Sequence, residues 1–198
     1  AAGTEPLYVT SPGGFRSRFV SEGELALFEA ACCRFSVQLA GTLGKMGIHA
    51  VPLYPPASKG AAAKRKDALR SVEDGKVRIL RGNYSGSIVS FDPGDIHAVW
   101  EMGGLPVLPP LAADEALSGG ILNVDGDRLA AAAAAAVGAD VLAILSNVPG
   151  LLRDPGDPAS KIDEGSLDGW DDLEHCARGN MKRKLLAAKE ALEGGAET

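Results

Sequence analysis

The chain has 198 residues and a mass of 20.4 kDa, is 45% hydrophobic and 23% charged, and carries a formal net charge of −6 with a pI near 5.1. That is ordinary globular composition, long enough to bury one sizeable core, and its acidic balance argues against nucleic acid as a general partner. No apolar run nears the roughly 20 residues of a membrane span, and the opening residues lack the charged-then-apolar plan of a secretion signal. The expectation is a soluble, cytoplasmic protein with no membrane partner. Cys32, Cys33 and Cys176 are odd in number and two are adjacent, which disfavours a disulfide framework, while His49, His97 and His175 are scattered. No metal site is expected from them.

In chain order, "SPGGFRSRF" places Gly13 and Gly14 ahead of Arg16 and Arg18, just before a helix. Backbone N–H groups and a guanidinium fork in that layout suit an anion. The helix is "SEGELALFEAACCRFSVQLAGTLGKMG": Ser21 caps it, Glu24 three residues on completes a capping box, and Leu25, Phe28, Cys32, Phe35, Leu39 and Leu43 recur at helical spacing. Gly47 ends it, "IHAVPLY" is a short buried strand, and Pro55 and Pro56 break the pattern.

Next comes a basic stretch against the overall charge, with Lys64, Arg65, Lys66, Arg70, Lys76, Arg78 and Arg81. Asp74-Gly75 at its middle, followed by the alternating "KVRIL", signals a β-hairpin. Such a hairpin is either a solvated basic face or a docking surface for an acidic partner. "DPGDIHAVWEMGG" reads as a short helix and "LPVLPP" as a strand. In "NVDGDRLAAAAAAAVGADVLAIL", Asp125 or Asp127 caps a helix of the best helix-forming residue, Gly138 stops it, and "ADVLAIL" is an apolar run of the kind buried in a parallel sheet. The two aspartates either cap and complement the helix dipole, or sit in the crevice beyond the strand ends, where ligands bind in open α/β sheets. Finally, "ARGNMKRKLLAAKEAL" puts Lys182, Arg183 and Lys184 in the first turn of a helix, where cations oppose the dipole unless an anion is present. A phosphate would supply one. Strand, helix and strand alternate throughout, which points to an α/β sandwich with right-handed crossovers.

Taken together, "TSPGGFRSRF", "AAAKRKDALRSVEDGKVRILRGNYSG", "LPVLPPLA", "NVDGDRLAAAAA", "LSNVPGLLRDP" and "GNMKRKLLAAKEALEGG" resemble the amino acid kinase family. The likeness is to its acetylglutamate kinase branch, and more closely to the kinases that act on 2-aminoadipate or glutamate carried by an amino-group carrier protein. The resemblance implies a three-layer αβα sandwich with a mainly parallel central sheet and a basic β-hairpin. It implies that Arg18, with Gly13 and Gly14 before it, holds a substrate carboxylate and that Asn123 holds the main-chain end. Asp127 would organise the active-site lysines and also cap its helix, leaving Asp125 only to cap or to face solvent. Lys184 would neutralise charge on the transferring phosphate, and Ser146, Asn147, Gly150, Gly179 and Met181 would line the ATP site. ATP with Mg²⁺ would phosphorylate a side-chain carboxylate, giving an acyl phosphate in lysine or arginine biosynthesis.

The carrier implied is a small acidic protein, steered by Lys64, Arg65, Lys66, Arg78 and Arg81 through charge complementarity, and a homodimer is expected with the helix at 24 to 43 as its interface. Against the family pattern, residues 1 to 198 read as a single domain truncated at both ends, lacking the amino-terminal glycine loops with one of two catalytic lysines and a carboxy-terminal strand and helix. "PLYPPASKG" and Val20-Ser21 also depart from the family's residues. Two other expectations therefore stand beside the carrier-linked kinase: an N-acetylglutamate kinase, and a non-catalytic remnant. Phosphoryl transfer relies on positioning and charge stabilisation, so no serine or cysteine nucleophile is required.

Overall fold

The computed structural model describes residues 6–12, 16–55, 57–58, 60–73 and 76–198. Strands β1 (Tyr8–Thr10) and β2 (Arg16–Arg18) pair antiparallel and lead into helix α1 (Glu22–Lys45). The capping box closes as the sequence predicts: Glu24 N–H donates to Ser21 Oγ, and Ser21 N–H donates to Glu24 Oε2 at 2.9 Å. Bonding to Ser21, backbone first, lowers the Glu24 pKa. The buried stripe of α1 is narrower than the apolar spacing suggests. Cys32 and Ser36 are buried, whereas Phe35 is 66% exposed.

Four strands form the principal sheet, ordered β10 (Ile121–Asn123), β9 (Leu111–Asp114), β4 (Ala61–Arg65) and β7 (Gly86–Phe91). β4 and β9 run parallel, and the two outer pairings are antiparallel. A second parallel pair, β3 (Ala50–Pro52) with β8 (Leu105–Val107), carries α1, and α2 (Gly94–Glu101) packs on β8. This is the α/β architecture expected, and the principal sheet, expected to be mainly parallel, is mixed, with one parallel pairing and two antiparallel ones. The core gathers Ala63, Ala112 and Leu122, all fully buried, with Val124 and Leu129. Small residues let the strands close on one another. A Cβ on Gly86 would stand 2.9 Å from Ala63 Cβ and 3.0 Å from Leu122 Cδ1, closer than packed carbons come.

Strands β5 (Ala68–Glu73) and β6 (Lys76–Arg81) pair in register from Ala68↔Arg81 to Glu73↔Lys76, which is the predicted basic hairpin. Its Asp74-Gly75 turn lies outside the described residues. Asn83 fastens the hairpin base: fully buried, it accepts Val20 N–H at 3.0 Å and donates to the Lys66 carbonyl at 2.7 Å and to Ser85 Oγ at 2.6 Å.

Helix α3 (Gly126–Val137) packs against β7, and α5 (Met181–Glu193) packs on α3, with the short α4 (Trp170–Cys176) beside α5. Gly138 ends α3 in the left-handed region at φ 65°, as its place after the alanine tract predicts. The run 139 to 145 is not the strand its apolar residues suggest. A strand needs a neighbouring backbone along its length, and here only its start finds one: Leu142 N–H donates to the Thr198 carbonyl, and Glu197 and Thr198 N–H donate to that of Asp140. Instead Leu142 and Ile144 pack on the alanines of α3 and α5. Among the described residues, no helix is long and apolar enough to cross a membrane.

Candidate functional site

The ends of α3 and α5 meet. Asp125 is the N-cap of α3, its Oδ1 accepting the N–H groups of Asp127 and Arg128 at 3.1 and 3.2 Å. The cap is thus Asp125 and not Asp127, which lies inside the first turn with its carboxylate free of that duty. Lys184 Nζ reaches both Asp127 oxygens, at 3.1 and 3.2 Å, and the Leu145 carbonyl at 3.5 Å. One residue earlier, Arg183 donates from one terminal nitrogen to Asp125 Oδ2 at 2.6 Å and from the other to Ser17 Oγ at 2.7 Å. The anions that offset the cations at the start of α5 are therefore two carboxylates of α3, where the sequence suggested a phosphate. Asp125, expected only to cap or to face solvent, also anchors an ion pair.

A cleft of about 630 Å³ opens beside this junction, lined among others by Ser17, Arg18, Asn123, Asp125, Arg128 and Arg183. Arg18 and Asn123, predicted as substrate contacts from positions over a hundred residues apart, share this one cavity. Arg18 lies against the Phe28 ring, 5.5 Å from its centroid, and its Nε is buried with no partner among the described residues. An orphaned buried donor of that kind suits an incoming carboxylate. Arg128 also faces the cleft but is neutralised by Glu190 of α5, through bonds of 2.9 and 2.5 Å, and the pairing raises its pKa. Gly13 and Gly14 fall outside the described residues.

Lys66, expected among the docking cations, is exposed and also lines this cleft. Loss of hydration, then the neighbouring Arg128 and Arg183 charges, lower its pKa, with Asp125 opposing. The reason is topological. β4 ends at Arg65, and Lys66 sits in the bend before β5, turned toward α3 and α5. Arg65 is also restrained, with its guanidinium 3.7 Å from the Tyr84 ring centroid, its Nε bonded to the Asn83 carbonyl, and an ion pair to Asp67. Lys64, Arg78 and Arg81 are exposed, and strand alternation sends Arg78 and Arg81 to opposite faces of β6.

The residues expected at the ATP site fall in two stretches of the chain. Ser146, Asn147 and Gly150 occupy the irregular segment that follows α3 and directly succeed Leu145, whose carbonyl faces the lysine. Gly179 (φ 52°) turns the chain into α5, of which Met181 is the first residue. None of these five residues lines the cleft that holds Arg18 and Asn123. Among the described residues no three His, Cys, Asp or Glu side chains are grouped to hold a metal ion. Magnesium accompanying a nucleotide would take most of its ligands from phosphates and water, as it commonly does. Ser17, Asp125 and Arg183 were missed as site residues, although the adjacency of Arg183 to Lys184 and of Ser17 to Arg18 was visible in the sequence.

A model of the amino acid kinase family matches residues 8–198. A LysW-aminoadipate kinase of Deinococcus radiodurans is 43% identical over 196 residues, which are 98% of this chain and 66% of that protein. One from Thermus thermophilus is 37% identical over 198 residues, covering 98% of this chain and 73% of the relative. The chain thus spans about two thirds to three quarters of these relatives' length. Among solved structures, an N-acetylglutamate synthase from Neisseria gonorrhoeae superposes with a TM-score of 0.74 at 22% identity, over 98% of this chain and 40% of that one, a likeness of fold.

Proposed function

Because the chain belongs to the amino acid kinase family, we propose that it transfers the γ-phosphoryl group of ATP to the side-chain carboxylate of 2-aminoadipate or glutamate held on a small acidic carrier protein, in lysine or arginine biosynthesis. The observation that carries this reading is the Lys184–Asp127 pair, 3.1 Å apart, whose chain neighbours Gly126, Arg128 and Arg183 line the cleft that holds Arg18 and Asn123. The names of the most similar relatives support the substrate class.

Each residue has a role that its surroundings favour. Arg18 binds a carboxylate of the acceptor through the side of its guanidinium left without a partner, and Asn123 holds the main-chain end. The side-chain carboxylate then attacks the γ-phosphorus; a new P–O bond forms, the bond to the β,γ-bridging oxygen breaks, and an acyl phosphate and ADP result. Charge spreads over the equatorial oxygens in that transition state, where a fixed cation is most effective. Lys184 supplies it, held in place by Asp127. Ser146, Asn147, Gly150, Gly179 and Met181 line the nucleotide side, with Mg²⁺ bound chiefly to the nucleotide. Lys64, Arg78 and Arg81 steer the acidic carrier. The exposed Leu27, Phe35 and Val37 of α1 favour a homodimer through that helix, and the setting is the cytoplasm.

The test is acyl phosphate formation trapped as hydroxamate, with ATP and the carrier bearing glutamate or 2-aminoadipate. Activity lost in both Asp127→Asn and Lys184→Ala establishes the reading. Activity on free N-acetylglutamate but not on the carrier replaces it with an acetylglutamate kinase, and no activity in folded protein replaces it with a non-catalytic member of the family.

A further inference from the structure

We propose that Arg183 is a positioning residue that couples the strand holding the acceptor to the pair that stabilises the phosphoryl group, an inference that rests on the kinase reading above. Its guanidinium forks between two elements. One arm meets Asp125 Oδ2 at 2.6 Å, and Asp125 also caps α3 just ahead of Asp127; the other meets Ser17 Oγ at 2.7 Å, and Ser17 precedes Arg18 on β2. Its Nε is buried with no partner among the described residues. Arg183 and Lys184 are consecutive on α5 and hold consecutive acidic positions of the α3 turn, Asp125 and Asp127. Shifting one pair along the helices shifts the other.

The two arms have separable consequences. The Ser17 arm fixes β2, and with it the direction of Arg18 into the cleft, so it governs acceptor binding. The Asp125 arm fixes the first turn of α3 against α5, and with it the approach of Asp127 to Lys184, so it governs the chemical step. Lysine cannot replace this residue in full, because a point cation lacks the planar fork that spans two acceptors.

Steady-state kinetics of Ser17→Ala, Asp125→Asn, Arg183→Gln and Arg183→Lys separates these roles. Asparagine keeps the N-cap while removing the charge, so Asp125→Asn tests the ion pair and not the helix end. Losing one charged or hydroxyl-bonded arm is expected to change the affected constant about tenfold: acceptor KM for Ser17→Ala, kcat for Asp125→Asn, and both for Arg183→Gln. Arg183→Lys recovers kcat and leaves KM raised. KM for ATP stays unchanged throughout. The proposal is overturned if Arg183→Gln lowers only thermal stability, or if Ser17→Ala and Asp125→Asn move the same constant. Wild-type turnover reports on the kinase reading separately. Should the wild type form no acyl phosphate, calorimetric titration with N-acetylglutamate still decides: weaker binding in Ser17→Ala and Arg183→Gln but not in Asp125→Asn sustains the coupling, and equal binding in all of them ends it.

Discussion

Replacing Ala187 with leucine should damage catalysis more than it damages folding. Ala187 is fully buried and belongs to a cluster with Ala131 and Ala191, the seam along which α3 and α5 pack. Lys184 lies three residues before Ala187, and Asp127 four before Ala131, so the seam and the ion pair share the same helical faces. Closeness there is extreme: a Cβ on Gly194 would stand 2.6 Å from Ala135 Cβ. Three added carbons at Ala187 have no space, and overpacking of that kind costs about 1–3 kcal/mol. At about 2–4 °C per kcal/mol for a chain of this size, the melting temperature falls by about 2–12 °C. The larger effect is on the 3.1 Å contact between Lys184 and Asp127, since a displacement of about 1 Å in a reacting constellation costs about a hundredfold in rate. The assay is thermal denaturation beside hydroxamate formation, measured well below the melting point of both proteins. A variant with the lower melting point and wild-type kcat would refute the claim that helix spacing sets the site.

Three further outcomes follow from the same geometry. Asn83→Ala removes three side-chain bonds from a fully buried position and should destabilise the fold by about 2–4 kcal/mol, read by urea unfolding; a change below about 0.5 kcal/mol would contradict its role at the hairpin base. Lys66→Met should raise the melting temperature at neutral pH, because a folded lysine with a lowered pKa pays for its charge below that pKa. The gain should shrink as pH rises through the lowered pKa toward the ordinary lysine value, where wild-type Lys66 loses its proton in both states. A gain that grows with pH reverses the sign and defeats the argument. The triple change of Lys64, Arg78 and Arg81 to alanine should raise KM for the acidic carrier and flatten its salt dependence, with KM for ATP unchanged; unaltered salt dependence places the docking surface elsewhere.

What could be read from the sequence was whatever a few neighbouring residues decide. Ser21 with Glu24, an aspartate (Asp125 or Asp127) at the head of α3, Gly138 at its end and the hairpin flanking Asp74-Gly75 each follow from local backbone chemistry, and the corresponding elements are present. The run 139 to 145 was misread because a strand is defined by its neighbour, which no local pattern reports. The place of Lys66 on the cleft was hidden for a related reason: in the sequence it is one of three consecutive cations, and only the turn after β4 sets it apart from Arg65 and Lys64. Resemblance singled out Arg18, Asn123, Asp127 and Lys184, of which the fold pairs the last two and sets the first two on one cleft. Ser17, Asp125 and Arg183 were not singled out, because their role consists in touching one another across 58 and 166 positions of chain.

The alanine tract acquires a purpose from the same contacts. Seven consecutive alanines would be explained by helix propensity alone, yet propensity does not require that Ala131 and Ala134 be buried or that Ala187 and Ala191 face the tract from α5. Small side chains on both helices bring the backbones close enough for two lysine-length side chains, Arg183 and Lys184, to reach carboxylates in the first turn of α3. Those carboxylates in turn offset the unfavourable placement of cations at the start of α5. Larger core residues would contribute more apolar burial at the seam, about 25 cal/mol per Å², and would hold the helices too far apart for either pair to form. The seam thus gives up apolar burial for position, as the proposed role of the two ion pairs requires.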